Sequence, residues 1–286
     1  MKHIATCVTL LTLLLVSGCA TPLKIDKTYT AVSQDSRVQY LILHFTAESM
    51  GGSVRVLTQG PVSSHYLVSD RQGDTQPKVY QLVDESRRAY HAGVSAWKGA
   101  TALNASSIGI EIVNLGGRPG PNGLVFQDFD PEQIDRVIEL TKDIVARHEI
   151  KPERILGHSD IAPTRKNDPG PKFPWKRFAD AGLIPWPDAA AVVARKVAYD
   201  AALPDVKWFQ EKLAQHGFAL IVNGEQDALT TSVMAAFQMK YRPLRFDGMR
   251  DAETAALLDV LTMPTAKESA PIKAAVNAVN DTHSHD

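Results

Sequence analysis

The segment ILGHSDIAPTRKNDPG, residues 155–170, sets His158, Lys166 and Asp168 in a stretch broken by Pro163, Pro169 and Gly170. Proline lacks an N–H and glycine loosens the backbone, so the stretch reads as a stiff loop and not as a helix. A solvated turn is one reading. The other is a loop that holds a metal ligand and a cation on a fixed frame. A partner for His158 stands in VQYLILHFTA, where His44 follows Leu41–Leu43 in a run that otherwise reads as a buried strand. A polar ring there needs a hydrogen-bond partner or a ligand, because burying it unpaired costs free energy. Two histidines at strand ends and one carboxylate, Asp168, form the donor set of a catalytic zinc site, which takes three protein ligands and leaves a fourth position open.

Hydrolysis at such a site also needs a base and a group that stabilises an oxyanion. Glu111 lies between Ile110 and Ile112 in SIGIEIV. A carboxylate inside a buried strand is costly unless paired or functional, and beside the open metal position it can take a proton from the attacking water. Lys166 is two residues from Asp168, so in extended chain both point the same way, and its ammonium suits charge developing on a carbonyl oxygen. A buried salt bridge for Glu111 and a solvated loop position for Lys166 are the competing readings. In AYHAGVSAW, His91, Ala92 and Gly93 are candidates for a substrate groove with Trp97 as an apolar wall, and Asn114 is a further candidate substrate contact. His65 reads as a structural support behind these groups, and His148 as a cation suited to a helix C-terminus. His216, His283 and His285 have no catalytic setting.

Elements must position these residues. SSHYLVS, KVYQLV and SSIGIEIVNLGG read as further strands, and RILGHSD as a short strand leading into the loop. DPEQIDRVIELTKDIVARHEI reads as a helix capped by Asp130 with Pro131 in its first position, and Ile134, Val137, Ile138, Ile144 and Val145 form its apolar stripe. The fold class is α/β, a central mixed sheet flanked by helices, over residues 37–187. The alanine-rich stretch 188–202, bracketed by prolines, reads as a helical linker. Residues 203–262 contain a near-repeat, NGEQDALTTSVM from Asn223 and DGMRDAETAALL from Asp247, preceded by VKWFQEKLAQHGF. Two glycine turns, each opening a helix, make a small three-helix domain. The tail 263–286 has the composition of a disordered segment.

The 286 residues, with 44% hydrophobic and 22% charged, suit one middling domain and a smaller one, and a net charge of −1 gives no sign of a nucleic-acid partner. The start, MKHIATCVTLLTLLLVSGCA, has a basic residue, an apolar run from Val8 to Val16 too short to span a bilayer, and small residues before Cys19. Residues 1–18 read as a secretory signal and 19–36 as a tether. The only other cysteine, Cys7, leaves with the signal. A mature chain would then have no internal disulfide and no free thiol for catalysis, which excludes a Cys–His hydrolase.

LILHFTA, SSHYLV, YHAGVSAWKG, SIGIEIVN and GHSDIAPTRKNDPGPKFPW together resemble the zinc-dependent N-acetylmuramoyl-L-alanine amidases of the AmpD and AmiD type, over about residues 38–187. The resemblance implies hydrolysis of the amide between N-acetylmuramic acid and the L-alanine of the stem peptide, in peptidoglycan or muropeptides. It implies one zinc ion on His44, His158 and Asp168, with Glu111 as the catalytic carboxylate and Lys166 on the oxyanion side. The C-terminal repeat resembles the peptidoglycan-binding module often fused to such enzymes. VSGC resembles the bacterial lipoprotein signal, which implies a lipidated Cys19. Ala20 after it is not an aspartate, and the resemblance to Gram-negative lipoproteins then implies a periplasm-facing anchor on the outer membrane. No obligate protein partner is evident. Two other readings stay open: a wall-binding protein that does not cut, and a metal-free glycosidase using Glu111 with another carboxylate.

Overall fold

The computed structural model describes residues 23–73, 75–121 and 123–263; the expected signal segment with Cys19, and the tail from 264, lie outside the described residues. Residues 23–35 belong to a unit apart from the rest, and in them Leu23, Ile25, Tyr29 and Val32 are exposed. The described residues from Ser36 to Met263 belong to one compact unit.

In chain order this unit contains β1 (Tyr40–Phe45), α1 (Met50–Gln59), β2 (Tyr66–Val68), β3 (Val79–Gln81), β4 (Ala96–Trp97), β5 (Ala100–Thr101), β6 (Ser107–Ile112), β7 (Gly117–Gly120), β8 (Gly123–Phe126) and α2 (Pro131–His148). Then follow β9 (Ile155–Gly157), α3 (His158–Ile161), α4 (Trp175–Asp180), α5 (Ala189–Ala201), α6 (Val206–His216), α7 (Ala228–Tyr241) and α8 (Ala252–Leu261). The main sheet has the order β3-β2-β6-β1-β9. β1 is parallel to both β6 and β9, β2 is parallel to β6, and β3 pairs antiparallel with β2, so the sheet is mixed as expected. α2 starts where the capping residues place it: the Asp130 side chain accepts from the Glu132 and Gln133 N–H groups, and Pro131 opens the helix.

Strand period splits β1 between two cores. Leu41 and Leu43 join Ile108, Ile110, Ile112 and the α2 stripe of Ile134, Val137 and Ile144 on one face. Tyr40 and Ile42 point the other way, into a cluster with Phe209 and Leu213 of α6, Phe237 of α7 and Leu258 of α8. The C-terminal helices thus form the second layer of the sandwich over this part of the sheet. They were expected as a small three-helix domain beyond a linker. The three helices are there, and the linker stretch forms α5, but their apolar faces are continuous with the sheet.

The near-repeat has a physical basis. Gln210 accepts from the Gly224 N–H and donates to Thr230 Oγ1 (2.8 and 2.9 Å), and Gln238 does the same with Gly248 and Thr254 (2.9 and 3.1 Å). Both glycines have positive φ, +80° and +72°, which side chains rarely adopt. Each copy is therefore one buried glutamine that ties a glycine turn to the start of the next helix.

One stretch differs from expectation. The loop after β9 begins with a helical turn, His158–Ile161, because its prolines come later and Asp160 accepts from the Gly157 N–H (2.8 Å). The glycine-rich stretch after β6 folds as the β7–β8 hairpin.

At the end of α2, His148 Nε2 lies 2.9 Å from Glu85 Oε2, Arg147 binds the same carboxylate, and the Tyr66 hydroxyl donates to Glu85 Oε1 (2.7 Å). Burial opposes ionisation of Glu85, but these partners overcome it and hold the carboxyl down at about 2. The folded value lies below the ordinary one, so its stabilisation is complete above about pH 4.5 and fades as the pH falls toward 2. Glu85→Gln should cost about 2 kcal/mol near neutrality. Denaturant unfolding should also show a flatter loss of stability between pH 4.5 and 2 than in the parent chain.

Candidate metal centre

Parallel register builds the site. His44 on β1 pairs with Glu111 on β6, so both side chains leave the sheet on the same face. Leu43 pairs with Gly157 at the end of β9, which brings His158, the next residue, beside His44. Three strands thus deliver their C-terminal ends to one point, the usual place for a ligand in an open α/β sheet. Asp168 returns on the loop, where its carbonyl accepts from the Ser159 N–H (2.9 Å).

His44 Nδ1 lies 3.0 Å from His158 Nδ1 and 2.9 Å from Asp168 Oδ2, and His158 Nδ1 lies 3.1 Å from the same oxygen. All three residues are buried, and they can hold one metal ion. The chemistry of the donor set fits a cation. Burial, and then the charge of His158, push His44 down to about 4, so its ring is neutral at pH 7. Burial alone would raise Asp168, but the adjoining rings of His158 and His44 hold it well below the usual carboxylate range. His158 donates from Nε2 to the Ala92 carbonyl (3.1 Å), which directs Nδ1 at His44 Nδ1. Two imidazole nitrogens and a carboxylate directed at one another form a zinc-type ligand set.

The same residues border a cavity of about 340 Å³ that Glu111, Lys166 and Tyr90 also line. Glu111 Oε2 is buried with no hydrogen-bond partner. Burial, with the nearby Asp168 charge, raises Glu111 well above the usual range, and Lys166 opposes this. Such a carboxyl is a stronger base than an exposed one and has an oxygen free to use.

The other candidates separate. His91 touches the cavity but lies behind His44, with its ring nitrogens directed at protein atoms. Ala92 contributes its carbonyl to His158, not a surface to the cavity. Gly93 lines a different cavity beside Arg165. Trp97 does not line the metal cavity: at 2% exposure it packs against His216 and Phe218 and donates to the Glu153 carbonyl (3.3 Å). Asn114 is also turned away, donating to the Asp128 carbonyl (3.2 Å) and accepting from the Gly116 N–H (2.8 Å), so it shapes the turn into β7. Tyr90 and Arg165 line the metal cavity without having been singled out; each stands beside a motif already noted, but neither spacing nor burial marked it.

The N-acetylmuramoyl-L-alanine amidase family model matches residues 34–171, and a peptidoglycan binding domain model matches 203–258. The N-acetylmuramoyl-L-alanine amidase AmiD of Escherichia coli K12 is 40% identical over 262 residues, 87% of this chain and 94% of that protein. The chain belongs to the N-acetylmuramoyl-L-alanine amidase family. It is an amidase of the class that hydrolyses the bond between N-acetylmuramic acid and L-alanine. Two solved structures are similar over most of the chain. AmpDh3 from Pseudomonas aeruginosa, in complex with anhydromuramic pentapeptide, superposes with a TM-score of 0.78 at 39% identity, covering 83% of this chain and 97% of that one. E. coli AmiD, in complex with anhydro-N-acetylmuramic acid-L-Ala-D-gamma-Glu-L-Lys, gives 0.75 at 39% identity, covering 84% and 94%. 

In this amidase the segment matched as a peptidoglycan binding domain also braces the metal loop. Lys240 of α7 donates to Asp160 Oδ2 (2.7 Å), the oxygen that accepts from Gly157 just before His158. The pair is buried, at 6% and 2% side-chain exposure, and the ammonium lies 4.2 Å from the centre of the Trp175 ring. Lys240→Met should destabilise the amidase by about 3–5 kcal/mol, because it leaves Asp160 buried without its partner. Adding Asp160→Asn should restore much of that loss in denaturant unfolding.

Proposed function

We propose that this amidase uses one zinc ion held by His44 Nδ1, His158 Nδ1 and Asp168 Oδ2, with Glu111 as the proton-transfer group and Lys166 as the oxyanion partner. The observation that carries the reading is the convergence of two buried imidazoles and one carboxylate beside a buried carboxyl oxygen that has no partner. When bound, zinc supplies Lewis acidity toward water and the scissile carbonyl. Glu111, raised by burial, takes the proton as the water oxygen forms its bond to the carbonyl carbon. Lys166 lines the same cavity and donates to the oxygen that becomes negative. As the C–N bond breaks, Glu111 returns the proton to the departing amine of L-alanine. The products are the muramyl carboxylate and a peptide with a free N-terminus. His44, held neutral by its burial, stays in the ligand set with His158 and Asp168 throughout.

The substrate class is peptidoglycan or its muropeptides. The relatives solved with anhydromuramyl peptides, and the match of residues 203–258 to a peptidoglycan binding domain, support this reading. Among the described residues no helix is long and apolar enough to cross a membrane. The motif VSGC ending at Cys19 supports a lipid-anchored enzyme facing the periplasm from the outer membrane. A glycosidase reading has no comparable support, because Glu111 stands beside a metal ligand set.

His44→Ala should lose both bound zinc and activity. Glu111→Gln should bind zinc as the parent does and lose at least about 100-fold in kcat. Metal content by atomic emission and peptide release by mass spectrometry read the two effects separately. Near-normal turnover by Glu111→Gln would remove the proton-transfer role.

A further inference from the structure

Both histidines of the metal centre are oriented by one short segment, His91–Ala92. His44 Nε2 lies 3.1 Å from His91 Nδ1, His91 Nε2 lies 3.2 Å from Ser107 Oγ, and the Ser107 hydroxyl donates to the Leu103 carbonyl (2.7 Å). The direction of this chain follows from its far end. A carbonyl oxygen only accepts, so the Ser107 proton is committed to Leu103, and Ser107 is left to accept from His91. A neutral imidazole has one N–H; with that proton at Nε2, His91 Nδ1 is an acceptor. His44 must then donate from Nε2, and its Nδ1 carries the lone pair.

The near end requires the same assignment. A histidine that ligates through Nδ1 carries its proton at Nε2, and that proton needs an acceptor when buried. His91 provides one only in the tautomer that Ser107 enforces. His158 is fixed in parallel by the Ala92 carbonyl, which also accepts from Arg165 Nη2 (3.2 Å). The segment is itself clamped, with the His91 and Ala92 N–H groups both donating to Asn104 Oδ1 (3.0 and 2.7 Å). The sheet makes room for the His91 ring through Gly109 of β6, where a Cβ would lie 2.6 Å from His91 Cγ.

We propose that His91 and Ser107 are positioning residues that set the ligating tautomer of His44, and that the His91–Ala92 segment orients both metal histidines at once. The inference rests on the metal reading above. It assigns His91 a role behind the metal in place of the substrate contact expected from sequence.

The test is the zinc dissociation constant of the purified amidase, by competition with a chromogenic chelator, for the parent chain, His91→Leu, His91→Asn and Ser107→Ala. His91→Leu should weaken zinc binding about 10–100-fold. His91→Asn should recover most of it, because its amide oxygen can accept near the position of Nδ1. Ser107→Ala should fall between. In the zinc-loaded parent chain, ¹⁵N–¹H spectra of the histidine rings should show His91 protonated at Nε2 and not at Nδ1. Circular dichroism identifies a variant that fails to fold; Ser107→Ala and the parent-chain spectra decide the matter if His91→Leu does. Parent-like affinity in folded His91→Leu, or a proton on His91 Nδ1, would overturn the inference while leaving the metal reading intact. Failure of the parent chain itself to bind zinc would overturn both.

Discussion

Three buried groups directed at one point dominate this molecule. His44, His158 and Asp168 are almost without solvent, and their ligand atoms lie close together. Without a shared positive partner, such an arrangement would be a concentration of desolvated polar atoms of the kind that folded chains avoid. The rest of the fold can be understood as what keeps those groups in place. Parallel pairing of β1 with β6 and β9 brings His44, Glu111 and the residue after Gly157 to one edge. A slip of one residue in the placement of β1 would turn His44 to the opposite face, toward Ile134, Val137 and Ile144, and lift Leu41 and Leu43 out of that core. The hydrophobic alternation of β1 therefore protects the site as well as the core.

The helical layer contributes to this in two ways. It covers the face of β1 from which His44 projects, burying Tyr40 and Ile42 against α6, α7 and α8. It also sends Lys240 to Asp160, two residues beyond His158. A segment that matches a peptidoglycan binding domain is thus a structural part of the catalytic layer, whatever it also binds. His216 shows how dry this contact is: burial, then the charges of Lys240 and Lys98, push it down to about 3.

Much of this was legible in the sequence because the relevant signals are local. His44 in an apolar run, Glu111 between isoleucines, and Asp130–Pro131 before a helical stripe each conflict or agree with their immediate neighbours, and the structure brings His44, Glu111, His158 and Asp168 together. What was not legible depends on partners distant in the chain. Trp97 reads as a groove wall beside His91, but its surroundings come from residues more than a hundred positions later. Lys240 has no marker until α7 meets α3. Ser107 and Asn104 are small polar residues of ordinary type, and their importance lies in which atom they accept from, which only the folded geometry reveals.

The central claim is that this chain cleaves the muramyl–alanine amide with a metal held at His44, His158 and Asp168. The most direct measurement is mass spectrometry of the products formed by the purified protein on peptidoglycan, before and after chelation and after zinc is restored. Free peptides beginning with L-alanine, lost on chelation and recovered with zinc, are the predicted result. Cleavage that persists in the chelator, or release of sugars without free stem peptides, would contradict it.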